Sequence, residues 1–454
     1  MSYSAYKQFS PPRWPGTQPA PVGWEVRRLK FAVTCNDEAL SETTAPDYEM
    51  AYVDISSVDL VNGITAIETL PFEEAPSRAR RIVRDDDTII STVRTYLKAI
   101  AAIEEPPDNM IVSTGFAVVR PLEFIDSGFL GYALQGTGFI DAVVANSTGV
   151  SYPAINPTTL VCLPFGYPED KTEQQQIAGF LDWKTGQIDA LMGKKQELLE
   201  KLKEKRIAVI TQAVTQGLNP AAPLRDSGVP WLGQVPQHWE VKRLRFLVEA
   251  IDQGWSPRAS NVAAEGDELG VLKLSAVSRG RFVAEENKML EEVPENQAIQ
   301  TPRKHDLLIT RANTPELVGD ACTVQQDYPQ LIIPDLIYRL TVDLSQSDEA
   351  FVSYFLLSKQ GRAQIEADAR GSSGSMVKLG QSHLKNFRIP SPPIQEQKSI
   401  RIYLDAQTVR IDGLMEKINQ AIDRLTEYRT ALITAATTGK IDVRNVKIPE
   451  QNHD

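Results

Sequence analysis

The side chains in this sequence best suited to chemistry are its arginines. Arg78, Arg80, Arg81, Arg84 and Arg94, with Lys98, fall within 21 residues. A second set is Arg279, Arg281, Arg303, Lys304 and Arg311, closed by Asn313. A guanidinium is a planar fork of donors that fits two phosphate oxygens or the edge of a guanine, and an asparagine amide can also read a base. The hydroxyls of Ser372 and Ser373 lie in a Ser-Ser-Gly-Ser run that could turn backbone N–H groups toward phosphate. This chemistry is recognition of a polyanion. The competing reading is that these are solvated charged loops and turns.

Covalent chemistry finds no comparable support. The sequence has no Walker A loop, no HExxH and no (Asn/Asp)-Pro-Pro-(Tyr/Phe). Ser391-Pro-Pro-Ile394 and Glu105-Pro-Pro-Asp108 do not substitute for the last of these. Gly136-Thr-Gly138 reads as an ordinary loop, and Glu286-Asn-Lys288 stands on the wrong side of Pro334-Asp335 for a nuclease motif. His238, His305, His383 and His453 are too scattered for a metal cluster. Cys35, Cys162 and Cys322 lie far apart, so neither a disulfide framework nor a zinc site is expected, which suits a cytoplasmic protein. No run of about 18 apolar residues is present, and the first residues lack a signal-peptide core, so no membrane segment is expected.

Total charge opposes a nucleic-acid role, because the 454 residues carry a net charge of −11. The excess is local. Residues 1–170 hold 12 basic and 22 acidic residues, residues 171–220 hold 8 and 6, residues 221–392 hold 19 and 22, and residues 393–454 hold 9 and 9. The arginine cluster at 78–98 therefore supplies half the bases of the most acidic segment. An acidic outer surface, turned away from DNA, is compatible with that count.

The elements that must position these side chains come from an internal duplication. Shifted by 223 residues, Glu173–Thr211 falls on Glu396–Thr434 with 17 of 39 positions identical. Ordinary composition gives roughly two or three. A second match sets Pro21–Phe31 on Pro236–Phe246, seven of eleven identical around Trp-Glu-Val. The stretches between, about 32–165 and 247–390, share no comparable identity, beyond a faint likeness of Asp87–Arg94 to Asp306–Asn313. One frame thus carries two different inserts, each domain-sized and mixed in its strand and helix signals. Leu218–Gly228 reads as a linker.

Each repeated segment reads as one long helix. Spacing by four and three residues selects Ile177, Leu181, Ile188, Leu191, Leu198, Leu202 and Val209 in the first copy. In the second it selects Ile400, Leu404, Ile411, Leu414, Ile418, Leu425 and Leu432. A 3.5-residue seam is a coiled-coil signature, and the obvious partner of each copy is the other. About 40 residues make a rod of roughly 60 Å. Gly179, Gly186 and Gly193, seven apart, would either permit close helix contact or sit on open surface.

These motifs resemble a known family. Asp226–Leu244 resembles the opening of a target-recognition domain in the specificity (S) subunits of type I restriction-modification systems. Pro392-Pro-Ile-Gln-Glu-Gln397, with Leu404-Asp405 and Ile411-Asp412, resembles the entry to that family's conserved helix. Glu173-Gln174, Leu181-Asp182 and Ile188-Asp189 match it in the first copy. Arg429-x-Ala-Leu-Ile-Thr-x-Ala436 resembles the helix end. Trp14-Pro-Gly16 only loosely echoes Trp231-Leu-Gly233, so the first opening is degenerate.

The resemblance implies an α+β fold. Two mixed α/β recognition domains (1–170 and 219–392) would alternate with two helices (171–218 and 393–445), followed by a tail at 446–454. The helices would pair as an antiparallel coiled coil with internal pseudo-two-fold symmetry. It implies a non-catalytic subunit that reads both halves of an asymmetric, interrupted site in double-stranded DNA. The helices would set the spacing and dock two methyltransferase (M) subunits, with restriction-translocase (R) subunits joining the full complex. S-adenosylmethionine, ATP and Mg would be held by those partners, and no cofactor or metal by this chain. A related system without the translocase carries the same implication for this chain. The alternative from a different class is a duplicated coiled-coil adaptor that binds proteins and not DNA.

Overall fold

The repeated segments form the helices Lys171–Gln216 and Ile394–Thr437 in a computed structural model that describes residues 3–12, 19–292, 299–373 and 376–449. Prolines precede each, and each ends near a glycine in the left-handed region, Gly217 at φ 75° and Gly439 at φ 68°. A Cβ at position 439 would fall 2.2 Å from the Pro21 ring, so both the backbone angle and the space there require glycine.

The chain folds as two units, and the division cuts through both helices. One unit holds Met1–Lys195 and Asn419–Asp454, the other Gln196–Ile418. Each insert is fused to one half of each helix, because the helix face buries itself in the insert's own apolar core. In the first unit Ile177, Leu181, Leu432 and Ile433 join Trp24, Phe129 and Phe165 in one cluster. In the second, Ile400, Leu404, Ile210 and Val214 join Trp239, Phe351 and Ile389.

Within each unit the two helix halves run antiparallel. In the first, Arg429 donates to Asp189 at 3.0 Å and the Thr426 hydroxyl lies 3.6 Å from the Met192 sulfur. In the second, Arg206 donates to Asp412 at 2.9 Å. The 223-residue shift carries Asp189 onto Asp412 and Arg206 onto Arg429. The same two repeat positions therefore pair in both units, each time with one residue from each copy.

The apolar row departs from the heptad seam. Leu191, Leu198 and Leu414 are exposed, while Ile188, Leu199 and Ile210 are buried, eleven residues apart. Ile411 and Ile433 are buried with Ile422 half-buried between them at the same spacing. A straight helix drifts about 20° per heptad, so a 3.5-residue row rotates out of contact while an eleven-residue row stays in it. Ile177, Leu181, Ile188, Ile400, Leu404, Ile411 and Leu432 are buried as the spacing requires, and Leu202, Val209, Ile418 and Leu425 are half-buried. The three glycines allow no close helix contact. A Cβ at Gly186 or Gly193 would meet nothing within 4 Å.

The two inserts share the topology of their main sheet. In the first unit a four-stranded antiparallel sheet runs Ile100–Ala102, Thr88–Ser91, Phe116–Pro121, Val33–Cys35. In the second the order is Ala321–Thr323, Asp306–Thr310, Ile337–Val342, Val248–Gln253. Each unit adds a second sheet with a single parallel pairing, four-stranded in the first unit with Met110–Ser113 on Glu49–Val53 and three-stranded in the second with Leu331–Ile332 on Gly270–Leu272. Each has two consecutive helices, Ser127–Gln135 with Thr137–Ala145, and Glu349–Leu357 with Lys359–Asp368. The Trp-Glu-Val motif becomes a strand closing against the segment before the long helix: Trp24–Arg28 on Pro164–Pro168, Glu240–Arg243 on Arg388–Ser391.

Two local expectations change. Gly136 is the junction of two helices and Gly138 lies inside the second, in place of a loop. The linker at 218–228 contains strand Leu224–Asp226, paired with Gln234–Pro236. Trp14, Gly16 and His453 lie outside the described residues.

Candidate functional site

The conserved contacts of each unit are built from residues the duplication marks. Trp24 Nε1 donates to Glu173 at 2.9 Å, and Trp239 Nε1 to Glu396 at 3.1 Å. Next to each glutamate is a fully buried glutamine. Gln174 accepts the Asp126 N–H at 2.8 Å and donates to the carbonyls of Phe124 and Pro168. Gln397 accepts the Asp348 N–H at 2.9 Å and donates to the carbonyls of Gln346 and Pro392. Asp126 and Asp348 in turn cap the first helix of their domains. Tyr132 lies 3.0 Å from the Thr185 hydroxyl, and Tyr354 donates to Asp405 at 2.7 Å beside Thr408. These contacts fix each insert on the helix pair with the same hydrogen bonds, whatever the insert's own sequence.

The likeness of Asp87–Arg94 to Asp306–Asn313 has a structural cause. Asp87 accepts the backbone N–H of Arg84 at 2.8 Å and both ends of the Arg120 fork at 2.8 Å. Asp306 accepts the N–H of Arg303 at 2.7 Å and faces Arg339 at 4.0 Å. Burial pushes the Asp306 carboxyl above its ordinary range, against the Arg303 N–H and the nearby Arg339 charge. Both acids close the turn before a central strand.

The arginines singled out by type divide sharply by environment. Arg78 pairs with Asp54 at 2.6 Å, and Arg84 forks onto Glu38 at 2.7 and 2.6 Å. Arg80 lies over the Phe72 ring, 4.6 Å from its centroid. Arg81 is half-buried with its Nε lacking a partner. Arg94 and Lys98 are exposed, and neither has a carboxylate partner among the described residues. In the second unit Arg279 turns a tight hairpin at φ 45°, its carbonyl accepting from Arg206 at 2.9 Å and its N–H donating to Asp320. Arg281, Arg303 and Lys304 are exposed. Arg311 is half-buried and donates to the Asp335 carbonyl at 3.2 Å, and the Asn313 side chain accepts the Thr314 N–H. Ser372 and Ser373 end the strand Arg370–Ser373, and their side chains lie outside the described residues.

Type and spacing alone missed the exposed aromatic residues beside Arg94, namely Tyr96 and Tyr152, and the exposed Arg370 and Lys378. Tyr96 stood inside the basic cluster at 78–98, while Tyr152, Arg370 and Lys378 were present only as isolated residues far from it in sequence.

Comparison with known proteins agrees with this architecture. Residues 236–424 match the family profile described as the type I restriction modification DNA specificity domain. The match covers 189 of the 454 residues, and over that span the chain is similar to the specificity subunits of type I restriction-modification systems. Among curated relatives it is similar to the type I restriction enzyme EcoEI specificity subunit of Escherichia coli, 25% identical over 245 residues. That alignment covers 53% of this chain and 40% of the relative. The EcoKI specificity subunit of Escherichia coli strain K12 is 23% identical over 328 residues, 71% of this chain and 68% of that one. A solved chain of a type I R-M system shares the fold, with a TM-score of 0.69, 22% identity, and coverage of 94% of this chain and 100% of that one. No described helix is long and apolar enough to cross a membrane.

Proposed function

We propose that this chain is the specificity subunit of a type I restriction-modification system, that it reads DNA as two half-sites, one with each recognition domain, and that it carries no catalytic centre of its own. The paired helices set the spacing between half-sites and dock two adenine-methyltransferase subunits. Those partners hold S-adenosylmethionine, and restriction-translocase subunits use ATP and Mg. One observation carries the reading. The contacts that fasten each insert to the helices recur residue for residue, while the inserts share a topology and not a sequence. Such a frame supports two readers of the same kind with different specificities, and hence an asymmetric target.

Further support comes from helix length. Forty-six residues make a rod of about 69 Å, more than one turn of duplex. Leu191, Leu198 and Leu414, exposed and outside the pairing row, suit protein docking. The test is a genome-wide map of methylated adenines made with this chain and its methyltransferase, then repeated after exchanging residues 247–390 for another recognition domain. One half of the target should change. A change in both halves would sink the two-reader model, and absence of DNA binding by the assembled complex would favour a protein adaptor.

A further inference from the structure

The first recognition domain is strongly acidic, yet one corner of it is not neutralised. Of its six clustered bases, two are held in ion pairs, one stacks on Phe72 and one is half-buried. The remaining two, Arg94 and Lys98, flank a single helical turn, Thr95–Leu97, and both have left-handed backbone, φ 50° and φ 53°. Non-glycine residues adopt that conformation only when their surroundings impose it, and such residues gather at functional sites.

The surroundings are visible. Buried Thr95 donates its N–H to the Pro153 carbonyl at 3.4 Å, and its hydroxyl lies 2.9 Å from that of Ser147. Thr148 and Ala154 exchange both backbone hydrogen bonds at 2.9 Å, closing a hairpin. Gly149 turns it at φ 108°, where a Cβ would come within 3.0 Å of the Tyr152 carbonyl. The result is a rigid lip whose outer side chains are exposed: Tyr152 at 65%, Tyr96 at 52%, with Leu97 and Val150. The Arg94 guanidinium sits 4.9 Å from the Tyr152 ring centroid.

We propose that this lip is the base-reading edge of the first domain. Arg94, steadied on Tyr152, reads a guanine edge, and Lys98 contacts the adjoining phosphate. The assignment rests on the DNA-reading function proposed above and takes it to individual residues. Charge selects the occupant. Two cations without carboxylate partners, beside exposed aromatic rings, match a polyanion that also offers flat bases. The steadied fork has less freedom to lose than a free arginine. The second domain has the same pairing at this place, Ala312 and Arg370 on Lys378 matching Val93 and Thr148 on Ala154. Asn313 and Met376 stand there in the positions of Arg94 and Tyr152. The chemistry at the two lips differs, so the effect of Arg94 belongs to one half-site.

The experiment uses the full chain assembled with its methyltransferase, and a duplex carrying the site that the wild-type complex methylates. Arg94→Ala should lower the preference for guanine at one position of one half-site on the order of 10- to 100-fold, leaving the other half unchanged. Arg94→Gly should give the same loss without lowering the unfolding temperature, since glycine takes this backbone angle freely. Arg94→Lys should keep low-salt affinity and lose the base preference. Lys98→Ala should weaken all duplexes alike and reduce the salt slope by about 1. Arg84→Ala, a partner of Glu38, should change no preference. The assignment is overturned if Arg94→Gly and Tyr152→Ala keep wild-type preference in both halves. It is also overturned if they lose methyltransferase assembly, which would make the lip a protein-docking surface. A wild-type complex that methylates no specific site would remove the underlying function as well.

Discussion

Gln397 is buried at the start of the second long helix and joins three segments of its unit. Its amide oxygen accepts from the Asp348 N–H at 2.9 Å and the Ser347 hydroxyl at 3.2 Å. Its nitrogen donates to the carbonyls of Gln346 at 3.2 Å and Pro392 at 2.8 Å. Gln397→Leu keeps similar bulk and deletes all four bonds, leaving one backbone N–H, one hydroxyl and two carbonyls buried without that partner. At the low end of the usual penalty, about 1 kcal/mol for each group, the loss is about 4 kcal/mol. The gain from a buried apolar side chain offsets part of it, so about 2 kcal/mol should be measured. The assay is chemical denaturation with hydrogen exchange read at the amides of Asp348–Phe351, because two units need not unfold in one step. Gln174→Leu, which has no counterpart of the Ser347 bond, should cost about 1 kcal/mol less, with exchange rising at Asp126–Phe129. A Gln397→Leu protein as stable as wild type, or a larger loss in Gln174→Leu, would refute the argument that these glutamines fasten the domains through the same three bonds.

Three further outcomes follow from named contacts. Arg206→Ala should destabilise its unit by about 1–3 kcal/mol and more than Arg429→Ala does, because Arg206 also donates to the Arg279 carbonyl; equal losses in denaturant titrations would contradict this. The Glu38 carboxyl is pulled down to about 2 by the hydrogen bonds of Arg84 and then Arg120. Its folded value lies below its unfolded one, so its stabilisation is fully present above the ordinary value of 4.5 and is lost as pH falls through about 2. A carboxylate titration by NMR should show that low midpoint and its rise in Arg84→Ala; a Glu38 titrating normally in the wild type would contradict it. In the folded protein Cys162, exposed, should alkylate first, while buried Cys322, whose thiol burial pushes well above its usual range, should react only on unfolding. Mass spectrometry of native-state labelling showing Cys322 modified first would reverse that order.

The helices were legible in the sequence because their pattern is local. Apolar spacing, preceding prolines and a following glycine lie within one segment, and the duplication showed that the segment matters. The seam was legible only approximately. A heptad and an eleven-residue row differ by one position at Leu191 and Leu198, and only packing tells Leu198 from Leu199. The arginine clusters were legible as composition and not as a site. Whether an arginine is free depends on acids 24 or 46 residues away, as with Asp54 for Arg78 and Glu38 for Arg84.

The sequence by itself determined that one frame occurs twice, that each copy ends in a long helix, and that the Trp-Glu and Glu-Gln motifs belong to that frame. Tertiary structure decided that two inserts without comparable identity are built on the same four-stranded main sheet, strand for strand. Sheet pairing is non-local and is satisfied by any apolar side chains of suitable shape, so topology outlasts identity. The frame contacts tolerate less substitution, because each is a specific buried hydrogen bond. Tertiary structure also decided which basic side chains remain without a carboxylate, since that depends on which distant strands bring acids beside them.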